Sequence, residues 1–151
     1  MKPFVPADHA WQTRVRASFL RQKAMASLGI TLDRLAPGEV DLGVPFQESL
    51  TQQHGFLHAG VLATMADSAC GFAAFTLMHD GDGVLSVEFK INLMDPARGE
   101  RFVARARVVR PGRTITVCRA DVVAVVGSDE KLVATMQATM MTIRGRDDVT
   151  G

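Results

Sequence analysis

The sequence predicts an α+β fold in which a curved antiparallel sheet of five to six strands wraps around one long central helix. Three observations lead to this prediction. The segment Ala59–Met78 is apolar on nearly all sides, which suits a helix buried in a core. Four segments after it alternate polar and apolar residues, as strands with one buried face do. The connections between those segments are short, which favours antiparallel neighbours.

The length of 151 residues suits a single domain over residues 1–151, and no repeat or long linker divides the chain. The net charge of +1 gives the chain as a whole no electrostatic reason to bind nucleic acid or an anionic membrane. Cys70 and Cys118 form neither a CxxC pair nor a disulfide framework, and Met1–Ala10 lacks the apolar stretch of a secretory signal. A cytoplasmic protein without membrane or nucleic-acid partners is therefore expected.

The first predicted element is a helix over about residues 8–28, in front of a core that extends over about residues 28–144. Its apolar residues recur four positions apart, Asp8 is a suitable N-cap and Gly29 a suitable stop. Two strands are expected next, Ile30–Leu35 and Glu39–Phe46, with a Pro-Gly turn between them.

The long apolar segment that follows is interpreted as a core helix. Its length would suffice to cross a membrane, but Asp67 lies near its middle, where a charge in a bilayer is costly. The strands expected after it are Leu85–Leu93, Phe102–Val108, Thr114–Val126 and Leu132–Met140. Together they predict an antiparallel meander with one apolar face, which the helix covers. Strict alternation in the first of them puts Val87 and Phe89 on one face and Ser86 on the other.

One carboxylate stands out in the predicted core helix. Asp67 is the only acidic residue between Thr51 and His79, and its helical neighbours are small. Burying an unpaired charge is costly, so the residue needs a reason to be there. We interpret it as a nucleophile or general base at the edge of a cleft. The alternative is a structural side chain hydrogen-bonded to Thr64 or Ser68.

The start of this helix also suits chemistry. The first N–H groups of a helix have no partner inside it and favour negative charge, so the turn at His58, with Gly55 and Gly60 beside it, suits a developing oxyanion. The alternative is that His58 only caps the first turn. Asp67 follows His58 by nine residues, about 13 Å along the helix axis. A nucleophile must approach the carbonyl carbon to about 3.5 Å. We therefore expect an obligate symmetric homodimer with shared sites.

The residues around the helix start form a spaced motif. Gln52-x-x-Gly55-x-x-His58-Ala59-Gly60-x-x-x-x-Met65-x-Asp67 resembles the N/Q-x-x-G-x-x-H-G-G-x-x-x-x-L-x-D/E hallmark of PaaI-like and hydroxybenzoyl-CoA-type hotdog-fold thioesterases. The likeness extends over about Phe19–Ile143. Two positions depart from the family pattern. Ala59 replaces the first glycine of the pair, and Gly71 stands where some relatives have a Ser or Thr that helps to position water.

The resemblance implies roles for the motif residues. Asp67 would attack the thioester or activate water, and Gln52 would orient the carbonyl or that water. The backbone N–H of Ala59 would polarise the carbonyl. His58 would shape the turn, which includes Gly60, and would lie near the thioester sulfur.

Further positions match substrate-binding residues of the family. Ser86 corresponds to a hydroxyl near the nucleophile in some relatives. Arg113 and Thr114 lie in a loop that in relatives approaches the CoA phosphates, where a guanidinium suits phosphate and Arg110 would assist. The alternative for this loop is a solvated hairpin turn. No cofactor or metal is implied, since no ligand cluster exists beyond two nearby histidines.

The function expected from these residues is hydrolysis of an acyl-CoA or aryl-CoA thioester to the free acid and CoA. Two alternatives stay open at this stage. One is a hotdog dehydratase acting on hydroxyacyl thioesters, and the other is a non-catalytic module that binds acyl-CoA. The family also implies that homodimers pair into a homotetramer.

Overall fold

Six strands form one antiparallel sheet in the computed structural model, which describes residues 3–151. The helices are α1 (Trp11–Arg21), α2 (Lys23–Leu28) and α3 (Ala59–Phe75), and Glu48–Leu50 forms a 3₁₀ turn. The strands are β1 (Thr31–Ala36), β2 (Glu39–Pro45), β3 (Gly83–Leu93), β4 (Arg101–Arg110), β5 (Ile115–Val126) and β6 (Asp129–Ile143). Their order in the sheet is β1-β2-β4-β5-β6-β3. The predicted fold class and every predicted strand are thus present.

The central helix α3 fills the concave side of the sheet. Eleven of its 17 residues are buried, and Met65 and Phe75 have no exposed surface. Burying a side chain of this kind contributes about 1.5–3 kcal/mol to folding. The helix ends at Phe75, before the predicted Met78, because the hydrogen bonds of the next residues are those of a tighter turn. There the Thr76 hydroxyl donates to the Ala73 carbonyl and accepts from a backbone N–H.

The predicted N-terminal helix over residues 8–28 is wrong in two respects. It begins at Trp11, with Ala10 and not Asp8 as the N-cap, and the chain breaks at Gln22. This residue is extended (φ −78°, ψ 91°), and it separates α1 from α2. In a continuous helix Met25 would lie about 80° around the axis from Val15 and about 120° from Phe19. The break instead allows Met25 to be buried with them, at 1% exposure. Gly29 ends α2 in the left-handed conformation (φ 71°), as predicted.

Strand β3 departs from the predicted meander. Of the four strands in the predicted meander, only β4, β5 and β6 are neighbours in sequence order, and β3 pairs with β6 at the far edge. The connection after β3 therefore crosses to the other side of the sheet, where β4 pairs with β2. The short connections in the sequence favoured pairing of β3 with β4, the next strand along the chain. In the structure β3 instead lies beside β6, where it covers α3 from the far edge of the sheet.

The alternation predicted for β3 is interrupted by a β-bulge. Ser86 pairs with Met140 and Glu88 with Thr139, so Val87 is an additional residue without its own partner. The bulge reverses the alternation before it, so Leu85 and Ser86 face the sides opposite to those that the pattern predicts, whereas Phe89 still faces the core. Ser86 therefore faces the central helix together with Phe89, although the two are three positions apart.

The outer edge of β3 is apolar and unpaired. Four of its side chains are between 43% and 56% exposed, namely Leu85, Val87, Phe89 and Leu93. β3 pairs with β6 on one side only. Unpaired edge strands with apolar side chains invite pairing with another strand. Within residues 3–151, no helix has both the length and the hydropathy to cross a bilayer.

Candidate active site

The Asp67 carboxylate lies halfway along α3 and is half-buried. Its Oδ1 accepts a hydrogen bond from the Ser86 hydroxyl at 2.6 Å. The two residues line a cleft of about 90 Å³ together with Gly71 and Phe72. The carboxylate is therefore held by a short charge-assisted bond and still reaches an opening. A methyl group added at Gly71 would meet nothing within 4 Å, so the space beside the carboxylate is open.

The alternative for Asp67, a structural side chain hydrogen-bonded to Thr64 or Ser68, does not describe the bond that it makes. The Thr64 hydroxyl donates to the Gly60 carbonyl at 2.8 Å, inside the helix. Ser86 comes instead from the neighbouring strand, on the side of the sheet to which the bulge turns it. Its single hydroxyl proton is given to Oδ1, which leaves Oδ2 without a hydrogen-bond partner among residues 3–151. That oxygen is available for chemistry.

The two thiols of the core are not competing nucleophiles. Cys70 lies three residues after Asp67, and burial raises the pKa of its thiol far above the ordinary range. Burial likewise raises the pKa of Cys118 to about 12. Both therefore stay protonated near neutral pH, whereas only a thiolate is an effective nucleophile.

The N-terminus of α3 offers one free backbone donor. His58 is the N-cap residue, and its Nδ1 accepts from the Gly60 N–H at 2.8 Å. The His58 carbonyl accepts from the N–H groups of Val61 and Leu62. The N–H of Ala59 is thus the one donor of this turn without a partner among the described residues.

The substitution of alanine for the first glycine of the motif causes no strain. Among the described residues only glycines have a positive φ, so Ala59 has ordinary helical geometry. The second glycine is needed for a different reason. A Cβ atom at Gly60 would lie 3.0 Å from His58 Nδ1, and the capping bond would have to lengthen.

His58→Ala should lower the free energy of unfolding by about 1 kcal/mol, because the Gly60 N–H loses its acceptor. His58→Asn should keep most of that stability, since an Asn side chain accepts at an N-cap. Urea unfolding of both variants checks this. A loss of equal size in the two variants would contradict a capping role.

Gln52 presents its amide nitrogen at a second cleft. Its Oε1 accepts from the backbone N–H groups of His54 at 2.5 Å and Phe56 at 3.3 Å, which holds the loop before α3. The NH₂ group of the same amide remains as a donor. Gln52 and Ala59 line a cleft of about 320 Å³, which also includes Leu93 at the end of β3.

The two clefts of one chain have no lining residue in common. Ala59 and Asp67 are eight residues apart on α3, about 12 Å along its axis. The structure thus brings Asp67 together with Ser86. It brings Gln52 together with the helix start, and within a single chain it leaves these two groups apart.

The predicted phosphate-binding residues lie on the hairpin between β4 and β5. Arg110, Arg113 and Thr114 are all exposed and line neither cleft. The carbonyl of Arg113 accepts from Arg144, and that of Thr114 accepts from the Thr142 N–H. Since Thr142 pairs with the first residues of β3, the hairpin lies at the end of the sheet where β3 begins.

Phe72, which reaches the Asp67 cleft from α3, was expected at the floor of the pocket, whereas Gln22 and Val84 were not predicted. Gln22 reaches the cleft from the break between α1 and α2, and Val84 reaches it from the start of β3. A polar residue one turn after Phe19, on the apolar stripe of a helix, was the available signal for Gln22. Within the described residues, no group of three or more His, Cys, Asp or Glu side chains is arranged to hold a metal ion.

Comparison with known proteins gives consistent likenesses. The sequence profile of the thioesterase superfamily matches residues 54–130, just over half of the chain. Human acyl-coenzyme A thioesterase 13 is 36% identical over 93 residues, which are 61% of this chain and 66% of that protein.

Solved structures extend the likeness over most of the chain. A crystal structure of a thioesterase family protein from Silicibacter pomeroyi has 53% identity and a TM-score of 0.88, and covers 89% of this chain and 99% of that chain. The E. coli PaaI protein of the phenylacetic acid degradation operon has 20% identity and a TM-score of 0.81, over 91% and 96% of the two chains. At that identity the second likeness shows the fold alone.

Proposed function

We propose that this chain, which belongs to the thioesterase superfamily and is a thioester hydrolase, cleaves an acyl-CoA or aryl-CoA to the free acid and CoA. The predicted resemblance to PaaI-like hotdog thioesterases is confirmed. The observation that carries the proposal is the free Oδ2 of Asp67, held at an open cleft by Ser86.

Polarisation of the thioester carbonyl is the first step. The Ala59 N–H and the amide NH₂ of Gln52 line one cleft, and both are donors without another partner among residues 3–151. They would bind the carbonyl oxygen and the oxyanion that forms from it. Such preorganised donors account for a large part of the rate enhancement in acyl transfer.

Attack on the carbonyl carbon is assigned to Asp67. Its carboxylate either bonds to the carbon directly or takes a proton from water that attacks in its place. In the first route the carbon–sulfur bond breaks, the thiolate of CoA leaves, and water then hydrolyses the acyl–Asp67 anhydride to the free acid and protonates the thiolate. In the second route water supplies the hydroxyl of the acid, the carbon–sulfur bond breaks, and the proton that Asp67 took from water ends on the sulfur of CoA. Because His58 Nδ1 accepts a hydrogen bond, its proton is on Nε2. That N–H suits the leaving sulfur.

The proposal requires two chains. The donors and the carboxylate lie in separate clefts, so a thioester would bind between the helix start of one protomer and Asp67 of the other. The apolar outer edge of β3 supports a two-fold partner, because a second β3 would cover it. A homodimer with shared sites is therefore part of the proposal. Pairing of dimers into a homotetramer stays a prediction that light scattering checks.

Recognition of CoA phosphates is assigned to the hairpin between β4 and β5. Arg110 and Arg113 are exposed and make no ion pair with the described residues. Their guanidinium groups, with Thr114 beside them, would bind phosphate oxygens at the mouth of the site. The free thiols of Cys70 and Cys118 suit a reducing compartment, and the cytoplasm is the proposed location.

The direct test is hydrolysis by the purified protein of a panel of short, medium, long and aryl CoA thioesters, with thiol release as the readout. Turnover of at least one class well above the uncatalysed rate is expected. Absence of turnover across the whole panel would reject CoA thioesters as substrates.

Gln52→Glu separates the chemical role of this residue from its structural role. The Glu carboxylate can still accept from the N–H groups of His54 and Phe56, but it cannot donate. We expect kcat to fall by about 10²–10³-fold, as when an oxyanion donor is lost, with an unchanged unfolding temperature.

Gln52→Ala is the matched comparison for this prediction. It removes the loop bonds as well, so both kcat and thermal stability should fall. An undiminished kcat in Gln52→Glu would remove the amide from the mechanism.

A further inference from the structure

The cleft that holds Asp67 is too small for most acyl groups. Its volume is about 90 Å³, whereas small-molecule sites commonly have about 300–1,000 Å³. It accommodates the reacting carbonyl and little more. An acyl group with more than a few carbons must therefore leave this cleft in some direction.

An apolar groove lies directly beside the cleft, between α1, α2 and the first residues of β1. Its volume is about 420 Å³, in the range of ligand sites. Six of its nine lining residues are apolar, namely Phe19, Leu20, Met25, Ala26, Ile30 and Leu32, and the other three are Arg16, Gln22 and Thr31. Leu20 is 80% exposed, so water meets a large apolar side chain there.

The groove and the cleft adjoin each other at two places. Gln22 lines both of them. Phe19 of the groove also packs edge-to-face on Phe72 of the cleft, with ring centroids 5.7 Å apart. The open space beside Gly71 lies on the cleft side of this pair. A flexible chain that extends from the carboxylate toward the groove would therefore pass Gly71 first and then Gln22, whose side chain it would displace.

Gln22 suits the position of a movable boundary. Its side chain is exposed and makes no hydrogen bond to the described residues. Only its backbone, and not its side chain, takes part in the break between the helices. Displacing this amide costs no hydrogen bond. The break that allows Met25 to be buried thus also places Gln22 between the two cavities.

We propose that this groove binds the apolar acyl chain of the substrate, with Gln22 and Phe72 at its entrance. The inference rests on the proposed function and narrows it, since the substrates would be CoA thioesters of medium to long aliphatic acids. An aliphatic chain is the occupant because most of the groove lining is apolar, the groove adjoins the carboxylate cleft, and no acidic residue lines it.

The test fills the groove without altering the catalytic cleft. Ala26 is exposed on α2 and lines the groove, so Ala26→Trp should occupy the space of the chain. We expect kcat/KM for dodecanoyl-CoA relative to butyryl-CoA to fall at least about tenfold, the size of effect that small changes in an apolar pocket produce. Ala24→Trp is the matched control on the same helix. Ala24 is exposed but does not line the groove, so this ratio should not change.

Other results would overturn the inference. An unchanged ratio in Ala26→Trp, or an equal loss for both substrates, would place the acyl chain elsewhere. Binding separates this failure from a failure of the proposed function. Calorimetry with dodecanoyl-CoA should show weaker binding to Asp67→Asn/Ala26→Trp than to Asp67→Asn alone, a comparison that does not need turnover. Equal affinities would reject the groove even if the wild-type protein is an active thioesterase.

Discussion

Asp67→Asn should lower kcat for thioester hydrolysis by about 10²–10⁴-fold, the range that a positioned acid or base contributes. The Asn side chain has the shape of Asp and can accept the same hydrogen bond from Ser86, so α3 and the cleft should be unaltered. The amide can neither attack the carbonyl carbon nor take a proton from water. Steady-state kinetics, together with thermal unfolding of the variant, measure the two effects separately.

Asp80→Asn is the matched control for this change. Asp80 is exposed in the turn after α3 and lines neither cleft, so its variant should retain wild-type kcat. Substrate binding to Asp67→Asn should persist in calorimetry. Full hydrolytic activity of Asp67→Asn would show that the carboxylate has no part in the chemistry.

Heterodimers of Gln52→Glu and Asp67→Asn chains should recover activity that neither homodimer has. If each site takes its donors from one chain and its carboxylate from the other, a heterodimer contains one intact site and one doubly altered site. Purified by two different affinity tags, it should reach about half of the wild-type activity per dimer. The physical reason is the separation of the two clefts, about 12 Å along α3.

A site formed within one chain predicts a different activity for the heterodimer. If donors and carboxylate of one site came from the same chain, each site of the heterodimer would have one defect. Its activity would then stay at the level of the two homodimers. Retention on both affinity columns establishes that heterodimers are present, so a lack of recovery counts against the shared site.

The parts of the structure that were predictable are those determined by local pattern. α3 was predictable because its apolar residues face all directions and Gly60 and His58 mark its start. The strands were predictable because residues of alternating polarity occupy a sheet with one buried face. The motif from Gln52 to Asp67 was predictable in the same way, since its members are close in sequence.

The parts that were not predictable depend on contacts between distant segments. The break at Gln22 exists because Met25 is buried against elements elsewhere in the chain. The place of β3 beside β6, and not beside β4, depends on how the whole sheet closes around α3. Neither property is encoded in a short window of sequence, so the contribution of Gln22 to the Asp67 cleft was not predicted.

The additional residue at Val87 has a consequence for comparing related chains. In a regular strand, positions that share a face are an even number of residues apart, whereas Ser86 and Phe89 share one at an odd separation. A chain of the same architecture without the insertion would need its hydroxyl at an even distance from the equivalent aromatic residue. Aligning two such chains by hydrophobicity alone would therefore match the serine to a residue on the wrong side of the sheet.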